Sequence, residues 1–148
     1  AIWRWLYRSV PNLQFGQDGN AYNIALEVPG VTRVSGWTIR ASLESKEVNG
    51  DATPTDNYTA QLDAAVTGNS LYVRARQRGD SFQPLGMQGS KKVSRFLIDT
   101  KVPEAWRDRI PIVTDGENIV WLVGQRIDAR YRVTPETRRV LHLEFKLD

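Results

Sequence analysis

Two stretches of this 148-residue chain alternate apolar and polar side chains with a period of two, and no other feature restricts the fold as much. In Trp37 to Glu44, the residues Trp37, Ile39, Ala41 and Leu43 share one face. In Val140 to Leu147, the residues Leu141, Leu143, Phe145 and Leu147 share one face, with His142, Glu144 and Lys146 opposite. Successive strand side chains point to opposite sides of a sheet, so both segments read as half-buried strands. Shorter strands are expected at Asn12 to Phe15, at Tyr22 to Val28 (closed by Pro29-Gly30), at Tyr58 to Leu62, near Ile112-Val113, and at Ile119 to Val123 after an Asp115-Gly116 turn. Residues 45–57 are polar, with Asn49-Gly50-Asp51 and Thr53-Pro54, and read as an exposed hairpin loop. Ser90 is predicted to cap a helix from Lys91 to about Thr100, with Val93, Phe96 and Leu97 on its apolar arc. Pro103 fits the first position of a second helix, Pro103 to Arg109. The expected fold is α+β: mostly antiparallel strands with two short helices.

Charge locates the chemistry better than it defines it. The formal net charge is only +3, but residues 1–70 carry 5 basic and 7 acidic side chains, against 15 and 10 in residues 71–148. A sign difference between halves suggests a polyanionic partner in the second half. The sign changes beyond Thr67-Gly68-Asn69, which is therefore the expected boundary between a β-rich segment, 1–66, and a domain, 67–148. With no Cys, the sequence excludes disulfides, thiol nucleophiles and thiolate metal sites, and an intracellular origin is the easier expectation. A single histidine, His142, excludes a poly-His metal site. No apolar run reaches the roughly 18 residues that span a bilayer. The N-terminal Ala1-Ile2-Trp3-Arg4-Trp5 lacks the pattern of a signal peptide, and the sole methionine is Met87. The expectation is a chain processed or cut from something longer.

The densest basic window runs from Arg74 to Arg109, with nine Lys or Arg and four Asp or Glu. A strand through Leu71 to Arg78 would put Arg74, Arg76 and Arg78 on one face, where like charges need solvent or an anion. Lys91 and Lys92 in the first turn of the predicted helix would oppose its dipole, which a bound phosphate would relieve. A solvated charged face, partly neutralised by Asp80, Asp99 and Asp108, explains the same composition, so both readings stand at this level. The Gly86-to-Lys91 loop lacks the spacing of a nucleotide P-loop and reads as a turn with Met87 or Leu85 packing inward. Asp80 reads as an arginine partner or loop cap. His142 has no Ser or Asp nearby in sequence, so a phosphate-ester hydrolase built on Asp80 and His142 ranks last. Trp37, Trp106 and Trp121 read as core, and Trp3, Trp5 and Tyr7 as the packing edge of an element.

The run Arg74-x-Arg76-x-x-Gly79-Asp80-x-Phe82-x-Pro84-Leu85-Gly86-Met87-x-Gly89-x-Lys91-Lys92 resembles the C-terminal domain of the tRNA(Ile)-lysidine synthetase family. The resemblance continues through Leu97-Ile98-Asp99-x-Lys101-Val102-Pro103, Trp106-Arg107-x-Arg109-x-Pro111, Ile119-x-Trp121-x-x-Gly124-x-Arg126-Ile127 and Arg130-x-x-Val133. It implies a piece of a cytoplasmic, ATP- and magnesium-dependent ligase that joins lysine to the wobble cytidine of tRNA(Ile). The family's Ser-Gly-Gly-x-Asp-Ser loop is absent here, so no catalytic site and no cofactor are expected in this chain. The implied role is to grip the tRNA acceptor stem beside the catalytic domain, with homodimerisation left open and no membrane. The implied fold is a sandwich-like domain resembling one in the phenylalanyl-tRNA synthetase β-subunit. Carried onto the basic window, the role falls to Arg74, Arg76, Arg78, Lys91, Lys92 and Arg95. Lys101, Arg107 and Arg109 are weaker candidates, and Gly79, Asp80, Pro84, Gly86 and Gly89 would shape the loop. The alternative is a domain that docks on acidic surfaces of the parent enzyme or its second protomer without touching RNA.

Overall fold

The structure, a computed structural model, describes residues 23–34, 36–46 and 57–148. The expected strand at 12–15, most of the 45–57 loop and the aromatic residues Trp3, Trp5 and Tyr7 lie outside the described residues. The strands are β1 (Ile24–Ala25), β2 (Gly30–Val34), β3 (Trp37–Ser45), β4 (Thr59–Asp63), β5 (Tyr72–Arg74), β6 (Ser81–Phe82) and β7 (Lys91–Lys92). They continue with β8 (Ile112–Thr114), β9 (Ile119–Leu122), β10 (Arg126–Ile127) and β11 (Arg139–Leu147). The helices are α1 (Ala64–Thr67), α2 (Val93–Asp99) and α3 (Glu104–Arg107), and a 3-10 turn spans Ala129–Tyr131.

The two alternating segments are neighbours. β11 lies between β3 and β4 in a four-stranded antiparallel sheet of order β2-β3-β11-β4. Leu141 pairs with Leu43 and Leu62, Leu143 with Ala41 and Ala60, and Phe145 with Ile39. A one-residue slip would turn every one of these apolar side chains to solvent, so the burial pattern fixes the register. A second antiparallel sheet has the order β1-β5-β8-β9-β10. Phe145 of the first sheet meets Trp121 of the second edge to face, with ring centroids 5.3 Å apart, and Trp37 packs on the same Phe145 at 5.7 Å. Every residue of β8 and β9 is buried, which requires cover on both faces. The second cover comes from the β6–β7 hairpin and α2, whose Phe82 and Phe96 meet edge to face at 5.2 Å. Both sheets draw strands from either side of residues 66–67.

Several expectations change in detail. The strand expected over Tyr22 to Val28 is only Ile24–Ala25 among the described residues, and Pro29-Gly30 leads directly into β2. A Cβ at Gly30 would stand 2.8 Å from that of Glu27, so the reversal needs a glycine. Ser90 caps no helix. Lys91 and Lys92 pair with Phe82 and Ser81 as β7, and the Val93 amide donates to the Asp80 carbonyl at 2.9 Å. The helix therefore starts at Val93, with Lys92 at its cap position and no side-chain cap. Ladder bonds to β6 outweigh the capping preference of Ser90. The second helix is shorter than expected, and Pro103 stands just before it rather than in its first turn. Helix α1 is a single turn too short for periodicity to signal; Asp63 accepts from the Ala65 amide, and Gly68 closes the far end.

Candidate nucleic-acid interface

The basic window is shaped by the place where β5 stops. The strand ends at Arg74, so Arg74, Arg76 and Arg78 do not share one strand face. Arg74 turns inward instead: Nη1 and Nη2 donate to the two Asp80 carboxylate oxygens at 2.8 and 3.0 Å, and Nη1 also to the Ala75 carbonyl. Both side chains are about nine-tenths buried. Asp80 further accepts from the Gln77 amide at 2.7 Å, which ties residues 75–80 into a closed turn with Gly79 at φ 87°. Arg74 is thus committed to holding the turn, with its guanidinium paired inward. A buried bidentate ion pair leaves no donor free for a phosphate at low cost.

The other cations stand further out. Arg76 donates through Nε to Asp108 at 2.8 Å, at the end of α3. Lys91 and Arg95 share Asp99, at 3.4 and 3.2 Å. Among the described residues, Arg78, Lys92 and Lys101 are exposed and form no ion pair. Arg107 donates to the Val102 carbonyl, and Arg109 lies over the Trp106 ring, 5.1 Å from its centroid. Exposed pairs of this kind are worth little against water and salt, so Asp99 and Asp108 neutralise their partners only weakly.

Sequence reasoning missed what anchors the glycine-rich loop. Asp128 is fully buried and accepts from the Gln83 amide, the Arg130 amide and both Nε and Nη2 of Arg130, all between 2.8 and 2.9 Å. Burial pushes its carboxyl up, but the Arg130 fork and the two amides outweigh burial and hold it below the ordinary value. Arg126 donates to the Leu85 carbonyl at 2.9 Å, and the Leu85 amide to the Ile127 carbonyl at 3.0 Å. Pro84 bridges to Asp128, and Gly86 and Gly89 take φ of 84° and 73°. Met87 packs against the core, whereas Leu85 is exposed. Nothing local in the sequence ties Asp128 to a loop some 45 positions earlier.

Elsewhere, Tyr131 donates to Asp115 at 2.6 Å. Burial, then that hydrogen bond, pushes the Tyr131 phenol up to about 12. Asp115 is held below its ordinary value because the Tyr131 hydroxyl and its own turn amides outweigh burial. His142 lies on the outer face of the four-stranded sheet, 3.3 Å from Glu44, while Asp80 is committed to Arg74. The two do not form an acid–base pair. Among the described residues no group of three or more His, Cys, Asp or Glu could hold a metal ion. No helix among them is long and apolar enough to cross a membrane.

The family model described as the TilS substrate C-terminal domain matches residues 71–144, the segment that contains this basic window. The tRNA(Ile)-lysidine synthase of Dehalococcoides mccartyi (strain CBDB1) is 40% identical over 116 residues, covering 78% of this chain and 24% of that protein. That of Caldanaerobacter subterraneus subsp. tengcongensis is 36% identical over 120 residues, or 81% of this chain and 26% of that protein. That of Symbiobacterium thermophilum is 35% identical over 138 residues, or 92% and 28%. The chain thus spans about a quarter of the length of the curated relatives it matches. A crystal structure of a TilS C-terminal domain superposes with a TM-score of 0.71 at 28% identity, covering 86% of this chain and 98% of that one.

Proposed function

The chain belongs to the tRNA(Ile)-lysidine synthase family through its TilS substrate C-terminal domain, and on that premise we propose that it binds the acceptor stem of tRNA(Ile) through phosphates. The observation that carries this reading is the outward set of cations in the matched segment. Arg78, Lys92 and Lys101 have no ion pair among the described residues, and Arg76, Lys91 and Arg95 have only exposed ones. An A-form stem has a deep, narrow major groove that side chains do not read, so recognition runs through phosphates, 2′-hydroxyls and shape. Cations at several points on the 75–80 turn, on β7, on α2 and just beyond its end suit that task. Arg107 and Arg109 are secondary contacts in this reading, and Arg74 with Asp80 holds the turn.

Catalysis belongs elsewhere in the proposal. ATP, magnesium and the ligation of lysine to the wobble cytidine fall to the part of the relatives that this chain does not cover. The domain steers its RNA toward that part, in the cytoplasm. A kinship of fold with the phenylalanyl-tRNA synthetase β-subunit belongs to the same reading.

The test is the salt dependence of association between the 148-residue chain and an unmodified tRNA(Ile) transcript. Affinity is expected to fall steeply with salt, and Arg78→Ala with Lys92→Ala to lower the log–log slope by about one unit each. Absence of salt-dependent association at low ionic strength would overturn the reading. Tight binding to the catalytic part without RNA, together with that absence, would establish a docking role instead.

A further inference from the structure

A cleft of about 310 Å³ opens beside the 75–80 turn, and its charge is unevenly opposed. Arg76, Arg78 and Gly79 of the turn line it together with Ser94 of α2 and the exposed Asp108. Asp80 also reaches the cleft, but its carboxylate is satisfied by the buried Arg74 fork and the Gln77 amide. Of the two cations that line the cleft, Arg76 is paired with Asp108 and Arg78 forms no ion pair among the described residues. The Asp108 carboxylate is three-quarters exposed and engages Arg76 through Nε alone. A one-point, exposed ion pair is weak, whereas a phosphate offers two oxygens to the planar guanidinium fork. Beside Arg78, a Cβ placed on Gly79 would meet nothing within 4 Å, so the space over the turn is open to an oxygen ligand.

We propose that this cleft is a phosphate subsite, and that Asp108 is a built-in competitor for Arg76 which a backbone phosphate of the RNA displaces. The proposal rests on the tRNA-binding reading for the source of the phosphate. On binding, Arg76 exchanges a carboxylate oxygen for phosphate oxygens, Arg78 closes on the same group, and Asp108 is released to solvent. The competing carboxylate lowers affinity and disfavours stray anions that engage Arg76 at only one point. Among the acidic residues of the basic window, Asp108 is thus a specificity-setting residue, while Asp80 is a positioning one.

The experiment uses the 148-residue chain, inorganic phosphate followed by the Arg Nε–H and Gly79 amide resonances, and the tRNA(Ile) transcript. Asp108→Asn is expected to tighten both probes by about three- to fivefold, the size of one exposed ion pair. In an Arg76→Gln background the same substitution is expected to give no gain. Glu104→Gln, which removes a carboxylate from the same helix outside the cleft, is expected to leave phosphate binding unchanged. The subsite is overturned if Asp108→Asn leaves phosphate affinity unchanged, or if its gain persists without Arg76. Phosphate binding with the expected variant pattern but no tRNA association would overturn RNA as the source. Association with tRNA that ignores Asp108 would overturn the subsite and leave the RNA reading standing.

Discussion

At the scale of single residues, the charges that matter are held by geometry rather than by composition. Tyr131 and Asp115 form one partly buried hydrogen bond whose two partners titrate at opposite ends of the pH range. The Tyr131 phenol is raised to about 12, so the folded state holds this proton more tightly than the unfolded chain. Its contribution is complete below the ordinary tyrosine value near 10 and is lost as pH rises from there toward about 12. Asp115 and Asp128 are lowered, so their contribution is present above the ordinary carboxylate value and is lost as pH falls through their folded values. Thermal unfolding followed across pH is expected to show both losses. Tyr131→Phe is expected to cost about 1–2 kcal/mol at neutral pH and to abolish the alkaline loss. An alkaline loss unchanged in that variant would contradict the assignment. None of this was legible in the sequence, because Asp115 and Tyr131 meet only through the fold. Asp80 differs: a carboxylate six residues from Arg74 across a glycine turn is a local pairing, and its role as an arginine partner was readable.

At the scale of elements, propensity and tertiary context divide the outcome. The long alternating strands β3 and β11 are found where period-two patterning puts them, and the apolar arc of α2 is its buried face. The start of α2 is not where Ser90 would put it, because the hairpin partners of Lys91 and Lys92, Phe82 and Ser81, lie upstream across the glycine-rich loop. Its end is unusual in another way. The Lys101 amide donates to the Ile98 carbonyl and the Val102 amide to the Leu97 carbonyl, with Lys101 at φ 61°. This is the closing pattern that normally takes glycine at the left-handed position. A lysine there costs the fold roughly 0.5–1 kcal/mol relative to glycine. Lys101→Gly is therefore expected to raise the melting temperature by about 2–4 °C per kcal/mol relieved. The same substitution removes one cation from the proposed interface, so the salt slope for tRNA is expected to fall. A melting temperature that drops would show that the lysine contributes contacts which outweigh its backbone strain.

At the scale of the whole molecule, two antiparallel sheets face each other through Trp37, Trp121 and Phe145, and a hairpin with a short helix covers the second sheet. The fold class was legible because alternation, turn residues and strand lengths all pointed the same way. Strand order was not, since β1 joins β5 and β11 inserts between β3 and β4 across long stretches of chain. The basic window was legible as a segment, and its internal division was not. Which arginine turns inward depends on where β5 stops, a matter of tertiary contact. The scaffold leaves its outward cations on the 75–80 turn, β7 and α2. The central claim is that they fit the acceptor stem of tRNA(Ile) rather than RNA at large. Competition for a labelled tRNA(Ile) transcript bound to this chain tests it most directly. An acceptor-stem minihelix is expected to displace the transcript as effectively as unlabelled tRNA, and an anticodon stem-loop of equal phosphate number far less. Equal displacement by the two would contradict the account.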